Sequence, residues 1–477
     1  MSFPLSPAQL SIWHAQHLDP FVPITIAQYV DIRGAVDASI LERTCGEAGA
    51  EYGSGFLRLL ETGDEVRQVV DPDLAYVLEQ VDLRAAEAPV AAAEEWMRAD
   101  RSRPMDLLGG RLIRTALLRI ADDRWFWYSC AHHIMLDGFG AAGFTARVAE
   151  LYTCAVLGTE PPPFRALDLR ALYDAEIGYR ESTRFHTDRK HWAQRVAGWS
   201  GHSGLTGRTA PPSAVSTIDS AHLSAAQEEL LAAAVQRHCD SPAGVLIAAF
   251  AAYLAQMTQS PNVVLSLPVT ARTTAAMRRS GGTVANIVPL RLHIGFDTTV
   301  AELLRQVRVE ISGALRHQRY RHEDMRRDAG RSTSDATYFG PWINVMLFDT
   351  RLRFGTAAGT FTVLSTGSIE DLAVNIYPGR DGTRIDFESN PEVYGAGAAG
   401  VQHRRFLEFL GGFLAAGGEV GVWRLPVVPV GERDRMVVEW NRSGREVPAT
   451  TLVALLDEQI ARTPERTALR FEGTSLS

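Results

Sequence analysis

The sequence of 477 residues is 46% hydrophobic and 22% charged, which is typical of a globular protein and excludes a disordered chain or a membrane protein. The length exceeds what one hydrophobic core supports, so we expect two or three domains. The net charge of −8 is spread along the chain without the Lys/Arg cluster that a nucleic-acid-binding protein needs, which excludes nucleic acid as a partner.

The N-terminal segment and the cysteines indicate a cytoplasmic protein. MSFPLSPAQLSIW has no basic stretch followed by an apolar run, and no segment reaches the length of a membrane span. No CxxC pattern occurs, which favours reduced thiols, and the four cysteines are Cys45, Cys130, Cys154 and Cys239. We therefore expect no membrane contact and no structural metal.

The first third of the chain predicts alternating strand and helix. Residues 27–37 alternate like a strand, and the segment that follows has helical spacing behind Asp37 as a cap. Residues 111–120 and 124–133 are strand-like runs on either side of a short polar turn, which predicts a β-hairpin. The hairpin ends at a pair of histidines.

The hairpin leads into a loop and a helix, and the second half of the chain repeats this order of strand, loop and helix. The spacing predicts a helix over 139–157, which the prolines of 158–164 end. From about Asp219 onward, two helical and two strand-like segments repeat this order. An α/β fold of two similar lobes is the simplest packing, with boundaries at 1–178 and 179–428.

The segment 429–477 differs from the lobes. It is polar and contains Gly and Pro, and it then begins a new helix at about Thr451, capped by Thr450 or Thr451. The apolar face of this helix comprises Leu452, Leu455, Leu456 and Ile460. The sequence ends at Ser477 before a third domain could form, so we expect a fragment of a longer protein.

The stretch SCAHHIMLDGFG carries the residues best suited to chemistry. Side chains alternate along a strand, so His132 and His133 are expected on opposite faces, and only one can enter a given channel. A neutral imidazole with a pKa near ~6.5 suits a general base. Asp137 could orient the ring or hold the loop through an arginine, and Gly138 allows a close backbone approach or a positive φ.

The same stretch admits other interpretations. The two histidines could be satisfied polar residues at a strand end. A metal site would need further ligands, and neither HExxH nor a cysteine cluster is near. The sequence contains no GxSxG elbow, no P-loop and no Gly-rich dinucleotide fingerprint, so hydrolysis at a serine and binding of ATP or NAD by those devices are excluded.

HHIMLDG resembles the HHxxxDG signature of the condensation domains of nonribosomal peptide synthetases, which are relatives of chloramphenicol acetyltransferase. Three further stretches resemble motifs of this family in the same order, namely residues 5–13, 283–292 and 316–325. The segment LLDEQIARTPERTALRFEG resembles the first residues of an adenylation domain. Together these stretches extend over nearly the whole chain.

The resemblance implies a fold and a reaction. The fold would be two chloramphenicol acetyltransferase-like lobes forming a V-shaped pseudo-dimer with a central tunnel. The reaction would join a donor and an acceptor that are both carried as phosphopantetheine thioesters on carrier proteins, with no cofactor bound directly by this chain. The amine of the acceptor would attack the thioester carbonyl of the donor.

The resemblance also implies roles for individual residues. His133 would be catalytic, by positioning or deprotonating the amine. His132, Asp137 and Gly138 would be structural parts of the motif, and Arg272 would be the partner of Asp137. A further residue, Asn286, would line the tunnel.

Departures from the family pattern bear on the donor. Phe139-Gly140 stands where Trp-Ser is usual, and RHExLRTxF is not visible. Details such as RWFWYSCAHHIMLDGF resemble the condensation domains of enterobactin synthase-type siderophore modules, which accept an aryl acid. Because the chain begins at Met1, we expect an aryl carrier protein acting in trans as donor, with adenylation and acceptor carrier domains downstream.

Alternatives to this prediction remain. The donor could be an ordinary fatty-acyl or peptidyl group, and the domain could be a non-catalytic recruitment platform. An epimerisation domain carries a similar motif but would not begin a chain, and a heterocyclisation domain replaces the histidines with aspartates. An acyltransferase that uses soluble coenzyme A is the other enzyme class that fits the motif.

Overall fold

The structure is a computed structural model, and it has two compact units, Met1–Val427 and Val428–Ser477. The residues that it describes are 2–63, 65–198, 203–208, 210–213, 215–330, 339–346, 351–379, 382–444, 446 and 449–477.

The first half of the larger unit alternates strands and helices. Its elements are β1 (Phe3–Pro4), α1 (Pro7–Leu18), β2 (Thr25–Arg33), α2 (Ala38–Tyr52), β3 (Leu57–Thr62), β4 (Glu65–Val70), β5 (Glu79–Asp82), α3 (Pro89–Arg101), β6 (Ile113–Ala121), β7 (Arg124–His132), α4 (Gly138–Leu157), α5 (Leu169–Arg180) and α6 (Thr183–Val196).

The second half of this unit repeats the mixture. Its elements are β8 (Thr217–His222), α7 (Ala225–His238), α8 (Pro242–Thr258), β9 (Asn262–Val269), α9 (Ala275–Arg278), β10 (Asn286–His293), α10 (Val300–Arg316), α11 (His322–Asp328), β11 (Trp342–Val345), β12 (Arg351–Phe354), β13 (Ala357–Ser365), β14 (Leu372–Tyr377), β15 (Arg384–Ser389), α12 (Pro391–Tyr394) and α13 (Ala398–Ala415).

Two six-stranded sheets organise these elements. The first sheet has the order β12-β13-β2-β7-β6-β5, and the second has the order β10-β9-β11-β14-β15-β8. Most neighbours are antiparallel, but β5 pairs with β6 in parallel and β11 lies parallel to both β9 and β14. The predicted strands, helices and hairpin are confirmed, and so is the mixed α/β fold class.

The first sheet takes two strands from the second half of the chain. Strand β13 pairs with β2 along most of its length, and β12 continues the sheet beyond it. This pairing covers the edge of β2, which would otherwise present unpaired N–H and C=O groups. The predicted division at residues 178 and 179 also falls inside α5, so the two sheets do not coincide with two consecutive stretches of sequence.

Burial follows the sequence pattern. Helix α8 is apolar on every side and is almost entirely buried in the core of the second sheet, which is the expected place for such a helix. Ser241 caps it by accepting the N–H of Gly244. No single helix in the described ranges is long and apolar enough to cross a membrane, although α7 and α8 pass that test when joined across their bend of 102°.

The smaller unit contains α14 (Val430–Asp434), α15 (Leu452–Arg462), β16 (Leu469–Phe471) and β17 (Thr474–Leu476). The Thr451 side chain caps α15 by accepting the N–H of Ala454, as one of the two predicted caps. The four apolar side chains predicted for this helix are all exposed within the unit. None of the described residues after Val428 is buried.

Candidate active site

The histidine pair lies where β7 ends and α4 begins. His132 is the last residue of β7 and is paired with Thr25 of β2. Four residues of loop follow, and α4 then begins behind Asp137, whose side chain accepts the N–H of Gly140. The strand–loop–helix order predicted from the sequence is therefore present.

His132 is a buried structural residue. Its side chain is 1% exposed, and its Nε2 lies 3.0 Å from Gln16 Oε1 while its Nδ1 accepts the N–H of Ile134 at 3.2 Å. Burial, with a smaller contribution from neighbouring His133, lowers the pKa of His132 to about 3. The ring is therefore neutral at pH 7, with Nε2–H as donor and Nδ1 as acceptor, and both of its nitrogens are used within the fold.

His133 is held in place by hydrogen bonds of its backbone, and its side chain is partly exposed. Its N–H donates to the carbonyl of Ile24 at 2.9 Å, and its carbonyl accepts the hydroxyl of Thr283. Nδ1 is buried and has no hydrogen-bond partner among the described residues, whereas the side chain as a whole is partly exposed. Nδ1 is therefore closed to a substrate, and Nε2 is the ring nitrogen that is left for one.

The surroundings of His133 keep its imidazole neutral. Burial lowers its pKa, and the negative charge of Asp137 and the carbonyls of His133 itself and of Thr366 only partly oppose this. A neutral ring at pH 7 can accept a proton or a hydrogen bond from an amine. Gly367 lies beside the same ring, since a methyl group at this glycine would be 3.6 Å from Cδ2 and 3.9 Å from Nε2 of His133.

Asp137 is the centre of a buried set of hydrogen bonds. Its Oδ2 accepts a bond of 2.7 Å from Arg272 Nη1, and both side chains are fully buried. The same oxygen accepts the N–H groups of Val284 at 2.9 Å and Ala285 at 2.8 Å, and Oδ1 accepts that of Gly140 at 2.8 Å. The partnership predicted between Asp137 and Arg272 is thus present in the structure.

The arginine makes further contacts of its own. Arg272 Nη2 donates to the carbonyls of Gly281 and Gly282, and its guanidinium lies 5.1 Å from the centroid of the Phe139 ring. Burial alone would raise the pKa of Asp137, but the charge and the hydrogen bond of Arg272 outweigh it, so the pKa lies below its ordinary value. The pair is therefore ionised. It connects residues 133–137, which we call the histidine loop, to the segment that follows β9.

The other two predicted residues differ in part from expectation. Gly138 has no positive φ, so that reason for a glycine was wrong, but a side chain added there would meet no atom within 4 Å. Asn286 is 3% exposed, and its amide donates to the carbonyls of Gln318 and Tyr320 while its Oδ1 accepts the N–H of His322. The Asn286 side chain therefore holds the loop 318–322 in place, and its role in lining a tunnel stays a prediction.

Some residues around the site carry no local signal in the sequence. Gln16 reaches His132 from 116 residues away, and Thr283 reaches the carbonyl of His133 across 150 residues. Neither spacing nor composition could assign these contacts, because they exist only once the sheets are assembled. Among the described residues, no three His, Cys, Asp or Glu side chains form a group suited to a metal ion.

The chain is similar to known proteins over most of its length. Residues 2–417 match the family model "Condensation domain". The chain is 33% identical over 480 residues to the dimodular nonribosomal peptide synthase of Bacillus subtilis (strain 168), and 30% identical over 482 residues to enterobactin synthase component F of Escherichia coli O157:H7. Those matches cover 100% and 98% of this chain but 20% and 36% of the relatives, so the chain spans about a fifth to a third of their lengths.

Solved structures of condensation domains have the same fold. The starter condensation domain of rhizomide synthetase, solved as a mutant in complex with C8-CoA, superposes with a TM-score of 0.84 at 34% identity and covers 89% of this chain and 98% of its own. The first condensation domain of the calcium-dependent antibiotic synthetase, in complex with a substrate analogue, gives 0.82 at 30% identity over 90% and 99%. Members of this family are acyltransferases that form amide bonds between substrates held on the phosphopantetheine of carrier domains. The chain belongs to the condensation-domain family of nonribosomal peptide synthetases.

Proposed function

We propose that this chain forms an amide bond between an acyl thioester on a donor carrier protein and the amine of an aminoacyl thioester on an acceptor carrier domain. The observation that carries the proposal is the neutral, partly exposed imidazole of His133. The backbone of this residue is bonded to Ile24 and to Thr283, and the following loop is fixed by the buried Asp137–Arg272 pair.

Amide formation of this kind requires an imidazole that is neutral and correctly placed, and it does not require a charged one. The amine nitrogen bonds to the thioester carbonyl carbon, and the carbon–sulfur bond of the donor then breaks. His133 Nε2 accepts a hydrogen bond from the attacking amine, and the proton that the amine loses passes to the departing thiolate. No acyl-enzyme forms, so most of the rate acceleration comes from holding two tethered reactants in attack geometry.

An aryl acid is the donor class that we favour. The support is the resemblance to enterobactin synthase-type siderophore modules, together with the 30% identity to enterobactin synthase component F. The donor would arrive on a separate aryl carrier protein, and the acceptor would be carried by a downstream domain of the same assembly line.

A fatty-acyl donor is the second candidate. The starter domain of rhizomide synthetase was solved with C8-CoA, and the chain is 36% identical over 419 residues to the isonitrile lipopeptide synthase of Streptomyces coeruleorubidus. That match covers 87% of this chain and 28% of the relative. An aryl donor and a fatty-acyl donor require acyl pockets of different length, so they are separable by experiment.

The test offers both donor classes to the purified chain. Carrier proteins loaded with 2,3-dihydroxybenzoate or with octanoate are incubated with an aminoacyl-loaded acceptor carrier, and intact-protein mass spectrometry follows the mass of the acceptor. We expect a gain equal to the aryl acyl group, which is lost in His133→Ala but kept in His293→Ala, an exposed histidine at the end of β10. A gain with octanoate alone assigns the fatty-acyl class, whereas no gain with any acyl group in a wider panel, peptidyl groups included, supports a recruitment platform.

We also propose that residues 449–477 belong to an adenylation domain. The support is the resemblance of LLDEQIARTPERTALRFEG to the start of such domains and the exposed apolar face of α15. In a longer protein that contains the whole domain, the amides of α15 should exchange with deuterium more slowly than in this chain. Equal exchange in both proteins would contradict the assignment.

A further inference from the structure

Glu388 is a buried carboxylate in the second sheet whose bonds reach the histidine site on the first. It lies on β15, and its side chain is 1% exposed. Its Oε1 accepts the hydroxyl of Ser216 at 2.8 Å, and its Oε2 accepts the hydroxyl of Thr366 at 2.9 Å and the amide of Asn375 at 3.3 Å. All three partners are neutral donors, so no cation is hydrogen-bonded to this acid among the described residues.

Thr366 belongs to the short segment that lies against the ring of His133. The carbonyl of Thr366 acts on the imidazole, and a methyl group added at the next residue, Gly367, would lie within van der Waals contact of the ring edge that carries Nε2. The position of this segment therefore determines which groups lie beside Nε2 of His133.

The segment is held from both sheets. On the first-sheet side, the side chain of Arg101 donates to the carbonyl of Leu364, and the hydroxyl of Ser365 lies 3.5 Å from the carbonyl of Thr25. The bond between Thr366 and Glu388 is the contact that comes from the second sheet. It fixes the segment at the residue whose carbonyl acts on the imidazole.

We propose that Glu388 is a positioning residue of the condensation site, which holds the Thr366 carbonyl and Gly367 against His133 through the Thr366 hydroxyl. The inference rests on the proposed function and adds to it a residue outside every motif of the sequence. Glu388 does not touch the reacting atoms, so its effect on the reaction passes entirely through Thr366.

The chemistry of the partners explains why an acid occupies this position. A carboxylate only accepts hydrogen bonds, and it faces two hydroxyls and one amide that can all donate. Burial raises the pKa of Glu388, and the bonds from Ser216 and Thr366 with the charge of Arg101 oppose that rise. Among the described residues, Asp137 is the charged group that acts on the pKa of His133, and His132 is its titratable neighbour along the chain, so Glu388 acts on the ring by position and not by charge.

Two variants remove the contact from opposite ends. Glu388→Ala deletes the acceptor, and Thr366→Val replaces the hydroxyl by a methyl group of the same size. Because catalytic groups displaced by about 1 Å lose up to ~100-fold in rate, we expect kcat for amide formation to fall by about ten- to a hundredfold in both variants, with KM unchanged. The double variant should lose no more than either single variant, because both remove one bond.

Two further variants serve as comparisons. Glu388→Gln keeps an acceptor of the same shape, and because the hydroxyls can rotate, its kcat should stay within about threefold of the original. Asp386→Ala removes another buried carboxylate of β15, which bonds Arg384 and not the segment beside His133. This variant should lower the melting temperature and leave kcat unchanged.

The imidazole pKa of His133 provides a readout that a merely structural role would not change. It is measured by NMR titration of 13C-histidine-labelled chain, with the resonance assigned from His133→Ala. Since the Thr366 carbonyl raises this pKa, Glu388→Ala and Thr366→Val should lower it, and the acid limb of the pH–rate profile should move to lower pH by the same amount. Asp386→Ala should leave both values in place.

The outcomes separate this inference from the proposed function. If the folded Thr366→Val and Glu388→Ala variants keep both kcat and the His133 pKa, the positioning role is wrong. If Glu388→Ala does not fold, Thr366→Val decides alone. If the unmodified chain forms no amide with any donor, the proposed function fails, and the NMR titration still confirms or overturns the link between Glu388 and His133.

Discussion

Arg272 Nη1 lies 2.7 Å from Asp137 Oδ2, and neither side chain reaches solvent. The two residues are 135 positions apart, one in the loop after β7 of the first sheet and one after β9 of the second. The carboxylate also accepts three backbone N–H groups, so it organises the histidine loop and the segment 284–285 at once. This buried pair is one of the contacts that attach the motif of the first sheet to the second.

Removal of one member of this pair should be strongly destabilising. Asp137→Ala leaves the Arg272 charge buried and unpaired, so we expect the free energy of unfolding to fall by about 3–5 kcal/mol in urea titrations. Arg272→Ala should cost a similar amount, and the double variant clearly less than the sum. Arg170→Ala, which breaks an exposed pair with Asp174, should change stability by less than about 1 kcal/mol. If the free energy of unfolding fell equally when the buried and the exposed pair are broken, the large effect predicted for burial of the Asp137–Arg272 pair would be wrong.

The stability of the protein should fall as the pH is lowered below about 6.5, in part because of His132. In the unfolded chain this histidine binds a proton near its ordinary pKa of ~6.5, whereas in the folded protein its pKa is about 3. Between these values the unfolded state binds more protons, so folding stability rises with pH. At pH 5 the His132 contribution is a loss of about 2 kcal/mol relative to pH 8.

The measurement is the free energy of unfolding at pH 8 and at pH 5 for the original chain and for His132→Asn. The variant is expected to be less stable at pH 8, because the bond to Gln16 is altered, but its stability should fall less between the two pH values. His191, whose pKa burial lowers to about 4, adds a decline of the same sign in both proteins. An identical decline in both would mean that His132 is not held neutral.

Gly367→Ala should slow amide formation directly. The added methyl group would lie 3.6 Å from Cδ2 of His133, and the φ of +123° at this glycine is strained for any other residue. Gly110→Ala is a matched control, because its φ is +133° and no atom lies within 4 Å of the added methyl group. We expect similar losses in melting temperature, with a fall in kcat of about tenfold or more for Gly367→Ala only.

The smaller unit should be dispensable for the stability of the larger one. The buried members of the hydrophobic clusters all precede Val428, so the larger unit has cores of its own. A chain that ends at Val427 should therefore keep the melting temperature of the longer chain to within a few degrees, as calorimetry would measure. A large drop would show that residues 428–477 contribute to the fold of the preceding unit.

Local structure was predictable because its causes are local. The strand before the histidine pair, the helix after Asp137 and the core helix α8 follow from period, caps and all-round apolarity. Of the two reasons given for Gly138, the positive φ is contradicted, since Gly138 is not among the residues with a positive φ. That difference concerns a backbone conformation at a loop–helix junction, which depends on packing against distant segments.

The sequence by itself determined the fold class, the order of strands and helices, and the motif that carries His133 and Asp137, because residue type, spacing and order carry that information. Only the tertiary structure decided which strands complete the first sheet, which nitrogen of His133 is buried, and that Thr366 and Glu388 belong to the surroundings of the site. These features depend on contacts between residues that lie more than twenty positions apart. No local pattern encodes such contacts, since they form only when the two sheets pack together.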